Sequence, residues 1–267
     1  RLLTGHAAAD AASDAPIAFR AALSLEQVSY TYPEGAAPAL SDVTLTIRRG
    51  EALAVFGPTG AGKSTLIDLV VGLLPPSSGR VTVDGLDLAG REVTWRRHVG
   101  YVPQSIVLLD DSLRRNVALG IPPHEIDAQR LAAALRIAQL DTFVAGLPAG
   151  LDTALGERGV RLSGGERQRI GIARALYHDP DVVVLDEATA ALDAATEAAL
   201  TDALRALHGS KTVLLISHRL ATVRACYRIA VVSDGRLLDC ATYDELLARS
   251  AEFRRIVEGT PARMRSA

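Results

Sequence analysis

A glycine-rich turn follows a short apolar run near the start of the chain. The turn fits the pattern G-x-x-x-x-G-K-[ST], and residues 52–56 before it are all apolar. Its glycines let the backbone aim successive N–H groups at phosphate oxygens, and a helix beginning near Lys63 adds the positive end of its dipole. In this pattern the lysine reaches the β- and γ-phosphates and the next hydroxyl, Ser64, holds Mg²⁺. The predicted phosphate-binding residues are Gly57, Pro58, Thr59, Gly60, Ala61, Gly62, Lys63, Ser64 and Thr65.

Other polar residues follow apolar runs farther along the chain. Asp186 and Glu187 come after one run, and His218 comes shortly after another. The carboxyl ends of parallel strands are where binding sites gather, which favours a functional interpretation of these residues. Taken singly, each also has an ordinary explanation: the carboxylates as a solvated loop, and His218 as a structural histidine.

The elements that must position these residues are a sheet and its flanking helices. Four continuous apolar runs next to helical patterns are typical of strands buried on both faces of a mostly parallel sheet, and they span 52–56, 182–185, 213–216 and 229–232. Alternating patterns over 23–32 and 40–47 predict half-exposed antiparallel strands instead. Residues 105–178 are predicted to be mainly helical. The pattern as a whole predicts an α/β fold.

Composition limits the function classes. The 267 residues are 48% hydrophobic and 22% charged, an ordinary globular balance, and no apolar run approaches the roughly 20 residues of a membrane-spanning helix. A net charge of −2 without a long basic run argues against general nucleic-acid binding. Cys226 and Cys240 fit no metal or redox spacing.

The first residues differ in character from the rest of the chain. Residues 1–22 are rich in alanine and aspartate and show no helical or strand period, so we expect a linker or tail remnant there. The chain also begins without Met. We therefore expect it to have been cut from a longer polypeptide.

Several short motifs occur together in one order, and this combination resembles the ATP-binding cassette (ABC) ATPases. The resemblance covers about residues 23–255. It implies a P-loop NTPase (RecA-like) domain over 23–267, with a mostly parallel core, an antiparallel β subdomain and an inserted helical subdomain at about 105–178. The matching motifs are Tyr32 (the A-loop aromatic), Gln104 (Q-loop), 162–168 (the LSGGQ-like signature), 182–187 (Walker B), 190–193 (D-loop) and His218 (switch histidine).

The resemblance implies roles around one bound ATP and its Mg²⁺. Tyr32 would stack on adenine, a mode that reads a π-face and is weakly selective. Asp186 would hold the metal with Ser64, and Gln104 would sense it. Glu187 would be the general base or water-positioning carboxylate, and His218 would contact the γ-phosphate.

The signature would serve a second subunit. Ser163, Gly164 and Gly165 at a helix N-terminus form an anion site, and with Glu166 and Asp193 they would close over ATP held by a partner. Two such domains would then form a head-to-tail homodimer around two ATP molecules.

Residues 156–159 are similar to the X-loop of exporter-type members of the family. The segments 108–117 and 147–153 are also similar to exporters. This implies a transmembrane domain contacted through the regions of Gln104 and Glu157, no nucleic-acid partner, and a place on the cytoplasmic face of a membrane, in a bacterium the inner membrane. Lipid-linked sugar, lipid, peptide and drug all stay open as cargo.

The competing functions are an importer ATPase and a non-transport, nucleotide-gated clamp. Clamp relatives insert a very long coiled coil between Q-loop and signature, whereas here Gln104 and Ser163 are separated by a short stretch without sustained heptads. Translation-associated members carry two cassettes in one chain. A P-loop kinase would leave the signature unexplained.

Overall fold

Two β-sheets of different kinds organise the computed structural model, which describes residues 17–156, 162–188, 192–217 and 219–259. The strands are β1 (Ala22–Tyr30), β2 (Leu40–Arg48), β3 (Ala52–Phe56), β4 (Ser78–Val83), β5 (Leu86–Asp87), β6 (Val99–Val102), β7 (Val182–Asp186), β8 (Thr212–Ile216), β9 (Arg228–Ser233) and β10 (Arg236–Ala241). The helices are α1 (Lys63–Val70), α2 (Glu92–Arg96), α3 (Leu113–Val117), α4 (Ala128–Ile137), α5 (Asp141–Ala145), α6 (Gly164–Tyr177), α7 (Ala194–Ala206), α8 (Leu220–Arg224), α9 (Tyr243–Arg249) and α10 (Ala251–Gly259).

The larger sheet has the strand order β10-β9-β3-β8-β7-β6. All neighbours from β9 to β6 are parallel, and β10 joins β9 antiparallel. Each of the four continuous apolar runs forms one of these parallel strands. The second sheet, ordered β2-β1-β4-β5, is antiparallel and contains the two segments with alternating patterns. The predicted fold class is confirmed.

The central strands are apolar at every position because both sheet faces are covered. In β3, Leu53 and Val55 join a core shared with α1 and the antiparallel sheet, whereas Ala54 and Phe56 join a core with α8, α9 and α10. Strands buried on both faces lose the alternating pattern. The C-terminal helices are fixed there partly by the Phe56 and Phe253 rings, whose centroids are 5.6 Å apart.

A helical layer is inserted between β6 and β7. It contains α3 to α6, and its residues form a separate core against the other face of the large sheet. Asp127 begins α4 by accepting hydrogen bonds from the backbone N–H groups of Gln129 and Arg130. Ser163 lies at the start of α6, the last helix of this insertion.

The packed domain begins before residue 23. Ile17 and Phe19 are buried in the same core as β1, and the Phe19 ring meets Trp95 edge-on at 5.6 Å. The Asp84 carboxylate accepts the backbone N–H groups of residues 20–22. The expectation of a linker or tail over all of 1–22 is therefore wrong for 17–22, because two apolar side chains there have a place in the core.

The topology brings the chemistry-bearing loops to one edge. Since β3, β6, β7 and β8 run parallel, the segments that follow them leave the sheet at the same side. Those segments contain the glycine-rich turn, Gln104, Glu187 and Ser217.

Candidate active site

The glycine-rich turn leaves β3 and leads directly into α1. Gly62 precedes this helix with a φ of 100°, and a Cβ on it would lie 2.7 Å from the Ala39 carbonyl oxygen. At Gly57 a Cβ would come within 2.0 Å of the Val232 carbonyl oxygen. These two glycines are required by a close approach of backbone to backbone, and they shape the turn around the start of α1.

Lys63 spans the turn from inside. It is only 7% exposed, and its Nζ donates to the carbonyl oxygens of Gly57 at 3.0 Å and Pro58 at 2.8 Å. Burial lowers the pKa of Lys63, while the charges of Glu187 and Asp186 raise it. A cation thus stands at the floor of the turn, within the electrostatic reach of two carboxylates.

A cavity of about 620 Å³ opens above this lysine. That volume lies within the usual range for small-molecule sites. It brings together residues from the glycine-rich turn, the A-loop position, the Q-loop and the end of β7. Its lining residues are Tyr32, Ala39, Thr59, Gly60, Gly62, Lys63, Ser64, Thr65, Gln104, Glu187 and Ile216. Ala39 and Ile216 are the two that sequence analysis missed.

Glu187 is held in an unusual backbone conformation. Its φ is 50°, in the left-handed region that few residues other than glycine adopt. Its N–H donates to the Ile216 carbonyl oxygen at 3.0 Å, and its Oε2 accepts from Gln104 Nε2 at 2.8 Å. Gln168 on α6 donates to the Glu187 carbonyl oxygen at 3.4 Å. Two of these bonds therefore hold the Glu187 backbone and the third holds its carboxylate at the cavity.

Asp186 immediately precedes Glu187 and is not among the residues that line the cavity. Tyr101 Oη donates to its Oδ2 at 3.3 Å. Burial is the largest cause that raises the pKa of Asp186, with the charges of Glu187 and Asp68 acting in the same direction. Burial, together with Asp186 and Asp68, raises the pKa of Tyr101 to about 12, so the phenol stays protonated as a donor.

Tyr101 and Asp68 are supporting residues that sequence analysis did not select, and it included Gln168 only as the last residue of the signature motif. Asp68 lies on α1, where it reads as one polar position of an amphipathic helix. Tyr101 lies in β6 and reads as a strand aromatic. Its position two residues before Pro103 and three before Gln104 was the one available signal.

Tyr32 stands at the mouth of the cavity. Its side chain is 43% exposed, and its hydroxyl lies 3.1 Å from Thr65 Oγ1. The ring meets Tyr30 edge-on with 4.9 Å between centroids. One face of an oriented aromatic ring is thereby offered beside the phosphate-binding turn.

The signature residues lie apart from this cavity. Ser163 begins α6, where its Oγ accepts from the Glu166 N–H and the Glu166 carboxylate accepts from the Ser163 N–H. Asp193 begins α7 and accepts from the N–H and Oγ1 of Thr196, bonds that lower the pKa of Asp193. The predicted site residues that do not line the cavity are Gly57, Pro58, Ala61, Ser163, Gly164, Gly165, Glu166, Asp186 and Asp193.

Several predicted residues lie outside the described part of the chain. His218, Glu157 and the D-loop residues Ala190 and Ala191 are among them. Within the described ranges, no helix is both long and apolar enough to span a bilayer. The same ranges hold no group of three or more His, Cys, Asp or Glu side chains placed to bind a metal ion.

Comparisons with known proteins point to one family. The family model described as "ABC transporter" matches residues 40–190. The chain is 43% identical over 235 residues to the ATP-dependent lipid A-core flippase of Cupriavidus pinatubonensis, covering 86% of this chain and 40% of that protein. It is 42% identical to the cyclolysin secretion/processing ATP-binding protein CyaB of Bordetella pertussis, covering 90% of this chain and 33% of the relative.

A solved structure gives the same answer. The chain superposes on a bacterial Atm1-family ABC exporter with ATP bound, with a TM-score of 0.86 and 35% identity over 95% of this chain and 44% of the exporter. The chain thus spans less than half the length of these relatives. The chain therefore belongs to the ABC transporter family, and the relatives that it matches include an ABC exporter.

Proposed function

We propose that this chain hydrolyses Mg²⁺·ATP and thereby powers an ABC exporter. One observation carries the proposal: a single cavity joins Lys63 and Ser64 of the glycine-rich turn to Gln104 and Glu187 at the edge of the parallel sheet. A triphosphate and an attacking water need those groups on opposite sides of the γ-phosphate.

The oxygen donors present suit a magnesium ion. Mg²⁺ is usually held by one or two carboxylates together with phosphate oxygens and water, and it neutralises the charge that develops on the transferring phosphoryl group. Ser64 lines the cavity, and Asp186, one of whose oxygens accepts from the protonated Tyr101 hydroxyl, immediately precedes the lining residue Glu187. Ser64 and Asp186 would hold the ion, and Gln104 would sense it.

Glu187 is the residue we assign to the attacking water. Its backbone is tied to β8 and its carboxylate to Gln104, so it faces the cavity in one orientation. General-base or water-positioning carboxylates typically contribute about 10²- to 10⁴-fold in rate. Lys63 and the turn N–H groups would stabilise the phosphate charge, Tyr32 would stack on adenine, and His218 would contact the γ-phosphate.

The signature would complete the site of a second copy. Ser163 and Gly164 are exposed at the start of a fourteen-residue helix, where backbone N–H groups and the helix dipole favour an anion. Because these residues lie outside this chain's own cavity, their target would be ATP on a partner. Binding of two ATP molecules would draw two domains together head to tail.

The transmembrane part of the exporter would dock near Gln104 and Glu157, on the cytoplasmic face of a membrane. One relative is named for lipid A-core and the other for cyclolysin, at nearly equal identity to this chain. The ATPase domain therefore gives little information on cargo. We propose export or flipping of a substrate that the membrane helices select.

Glu187→Gln tests the proposal. The variant should bind ATP as the native chain does, hydrolyse it about 10²- to 10⁴-fold more slowly, and accumulate as an ATP-dependent dimer. Light scattering after size-exclusion chromatography, with and without ATP, reports the dimer. A steady-state assay of the native chain at several protein concentrations reports turnover.

The light-scattering and hydrolysis measurements together test both the role of Glu187 and the dimer. Turnover that rises with protein concentration, with a dimer only in ATP, supports composite sites. Normal turnover by Glu187→Gln would contradict the role of that carboxylate, and a permanent monomer with concentration-independent turnover would contradict the dimer.

A further inference from the structure

Glu197 is a buried acidic side chain outside the cavity. It lies on the first turn of α7 and is 4% exposed. Its carboxylate accepts a hydrogen bond from Thr222 Oγ1 at 2.6 Å and forms an ion pair with Arg219. Burying a carboxylate is costly, and a buried ion pair is often no more stabilising than apolar side chains of similar volume. Stability alone is thus a weak explanation for this pair.

Arg219 connects two segments that leave the sheet at the active-site edge. It follows β8 by three positions, and its backbone N–H donates to Ser217 Oγ at 3.0 Å. Its guanidinium also reaches the Leu192 carbonyl oxygen at 3.4 Å, immediately before Asp193. The side chain therefore joins the segment after β8 to the segment that leads from β7 into α7.

A second tie joins the same two segments nearer the cavity. The Glu187 N–H donates to the Ile216 carbonyl oxygen at 3.0 Å, continuing the pairing of Asp186 with Ile216. The connection from Glu187 to Glu197 is consequently fixed to the connection from Ile216 to Arg219 at both of its ends.

We propose that Glu197 and Arg219 are positioning residues for ATP hydrolysis. Their ion pair, here called the Glu197–Arg219 clasp, holds the segment after β7 against the segment after β8 and so sets the position of the Glu187 carboxylate. Neither residue lines the nucleotide cavity, so the clasp acts through Glu187 and leaves ATP binding alone. This inference rests on the proposed ATP hydrolysis.

Glu197→Gln is the first test. Glutamine keeps the shape and an acceptor for Thr222, and removes the charge that faces Arg219. We expect kcat to fall at least about tenfold while KM for ATP stays within about twofold, the pattern of a lost transition-state arrangement. A KM that rises with an unchanged kcat would overturn the proposal.

Glu51→Gln is the matched control. Glu51 is also 4% exposed and its Oε1 lies 2.9 Å from Arg228 Nη1, but it precedes β3 at the opposite edge of the sheet. Both variants should lower the melting temperature. Only Glu197→Gln should lower kcat. Equal losses of kcat in the two variants would contradict the positioning role and show that the clasp only stabilises the fold.

Arg219→Lys and Arg219→Met separate charge from bulk. Lysine retains the ion pair with Glu197, whereas methionine fills similar space without a charge. We expect the lysine variant to keep several-fold more kcat than the methionine variant. Equal kcat values would contradict a role for the charge.

Hydrogen exchange without nucleotide tests the clasp independently of turnover. Glu197→Gln should speed exchange of amides in both 192–197 and 219–224, and Glu51→Gln should leave both segments unchanged. Faster exchange confined to α7 would overturn the coupling even if kcat fell as expected. An inactive native chain with coupled exchange would instead count against the proposed function and in favour of the clasp.

Discussion

The glycine-rich turn and the signature turn both precede a helix, yet they treat their polar groups differently. At the first, Lys63 is buried and bonded to the turn's own carbonyl oxygens, and a cavity stands open above it. At the second, the exposed Ser163 hydroxyl donates to Glu166 Oε2 at 2.9 Å. The first turn lines a cavity within the chain. The second presents polar groups that are already hydrogen-bonded to each other, and in our proposal it becomes a site only in the dimer.

Of the substitutions that test the difference between the two turns, Lys63→Met should lower ATP hydrolysis the most. It removes the cation from the cavity floor, and loss of one charge-stabilising donor typically lowers kcat about 10²- to 10³-fold. Steady-state hydrolysis and equilibrium ATP binding should both decline. Lys211→Met is the control, because Lys211 pairs with Asp179 outside the cavity. Retained hydrolysis in Lys63→Met would show that the first turn is not the phosphate site.

Ser163→Arg should lower hydrolysis by about 10- to 100-fold while ATP affinity of the monomer stays within about twofold, since its target lies on the partner. Thr242→Arg disrupts an equivalent capping box, formed by Thr242 and Glu245 at the start of α9. The control loses the same kind of cap and should hydrolyse ATP normally. Weaker ATP binding by monomeric Ser163→Arg would show that the signature turn acts on the ATP of its own chain, as the glycine-rich turn is proposed to do.

Asp193→Asn should have the smallest effect of these substitutions, a lower melting temperature whose size depends on pH. The bonds from Thr196 depress the folded-state pKa of Asp193, so its charge stabilises the fold above the unfolded pKa of about 3.8, and that contribution is lost as pH falls through the folded pKa. Asparagine keeps the cap without the charge. We expect a melting temperature about 1–2 °C below native at pH 7 and a smaller difference near pH 3, measured by calorimetry. A difference that grows on acidification would contradict this assignment.

Most of the sheet could be predicted because its strands are buried on two faces. The apolar runs that became β3, β7, β8 and β9 have no alternation, and that pattern depends only on burial. The start of the packed domain could not be predicted. Ile17 and Phe19 lie in an alanine-rich stretch, and the Phe19 ring packs against Trp95, far along the chain.

The sequence motifs predicted the residues that line the site. They did not predict the residues that hold those side chains in position. Lys63, Gln104 and Glu187 could each be predicted from the motif that contains them, and all three line one cavity. Tyr101, which orients Asp186, and Arg219, which pairs with Glu197, act through contacts between distant segments. Spacing along one chain carries little information about such contacts.

The hydrogen bonds within the signature turn have a consequence for the proposed dimer. Because Ser163 and Glu166 already satisfy each other, a partner's phosphate would exchange one hydrogen bond for another, with little new ordering of the chain. The exchange at this turn would then contribute little net free energy to closure, and the other contacts to ATP would supply the rest. A turn built in this way would add little chain-ordering entropy to the cost of association, and it would recover its own hydrogen bonds once the phosphate has left, which suits a machine that must repeat its cycle.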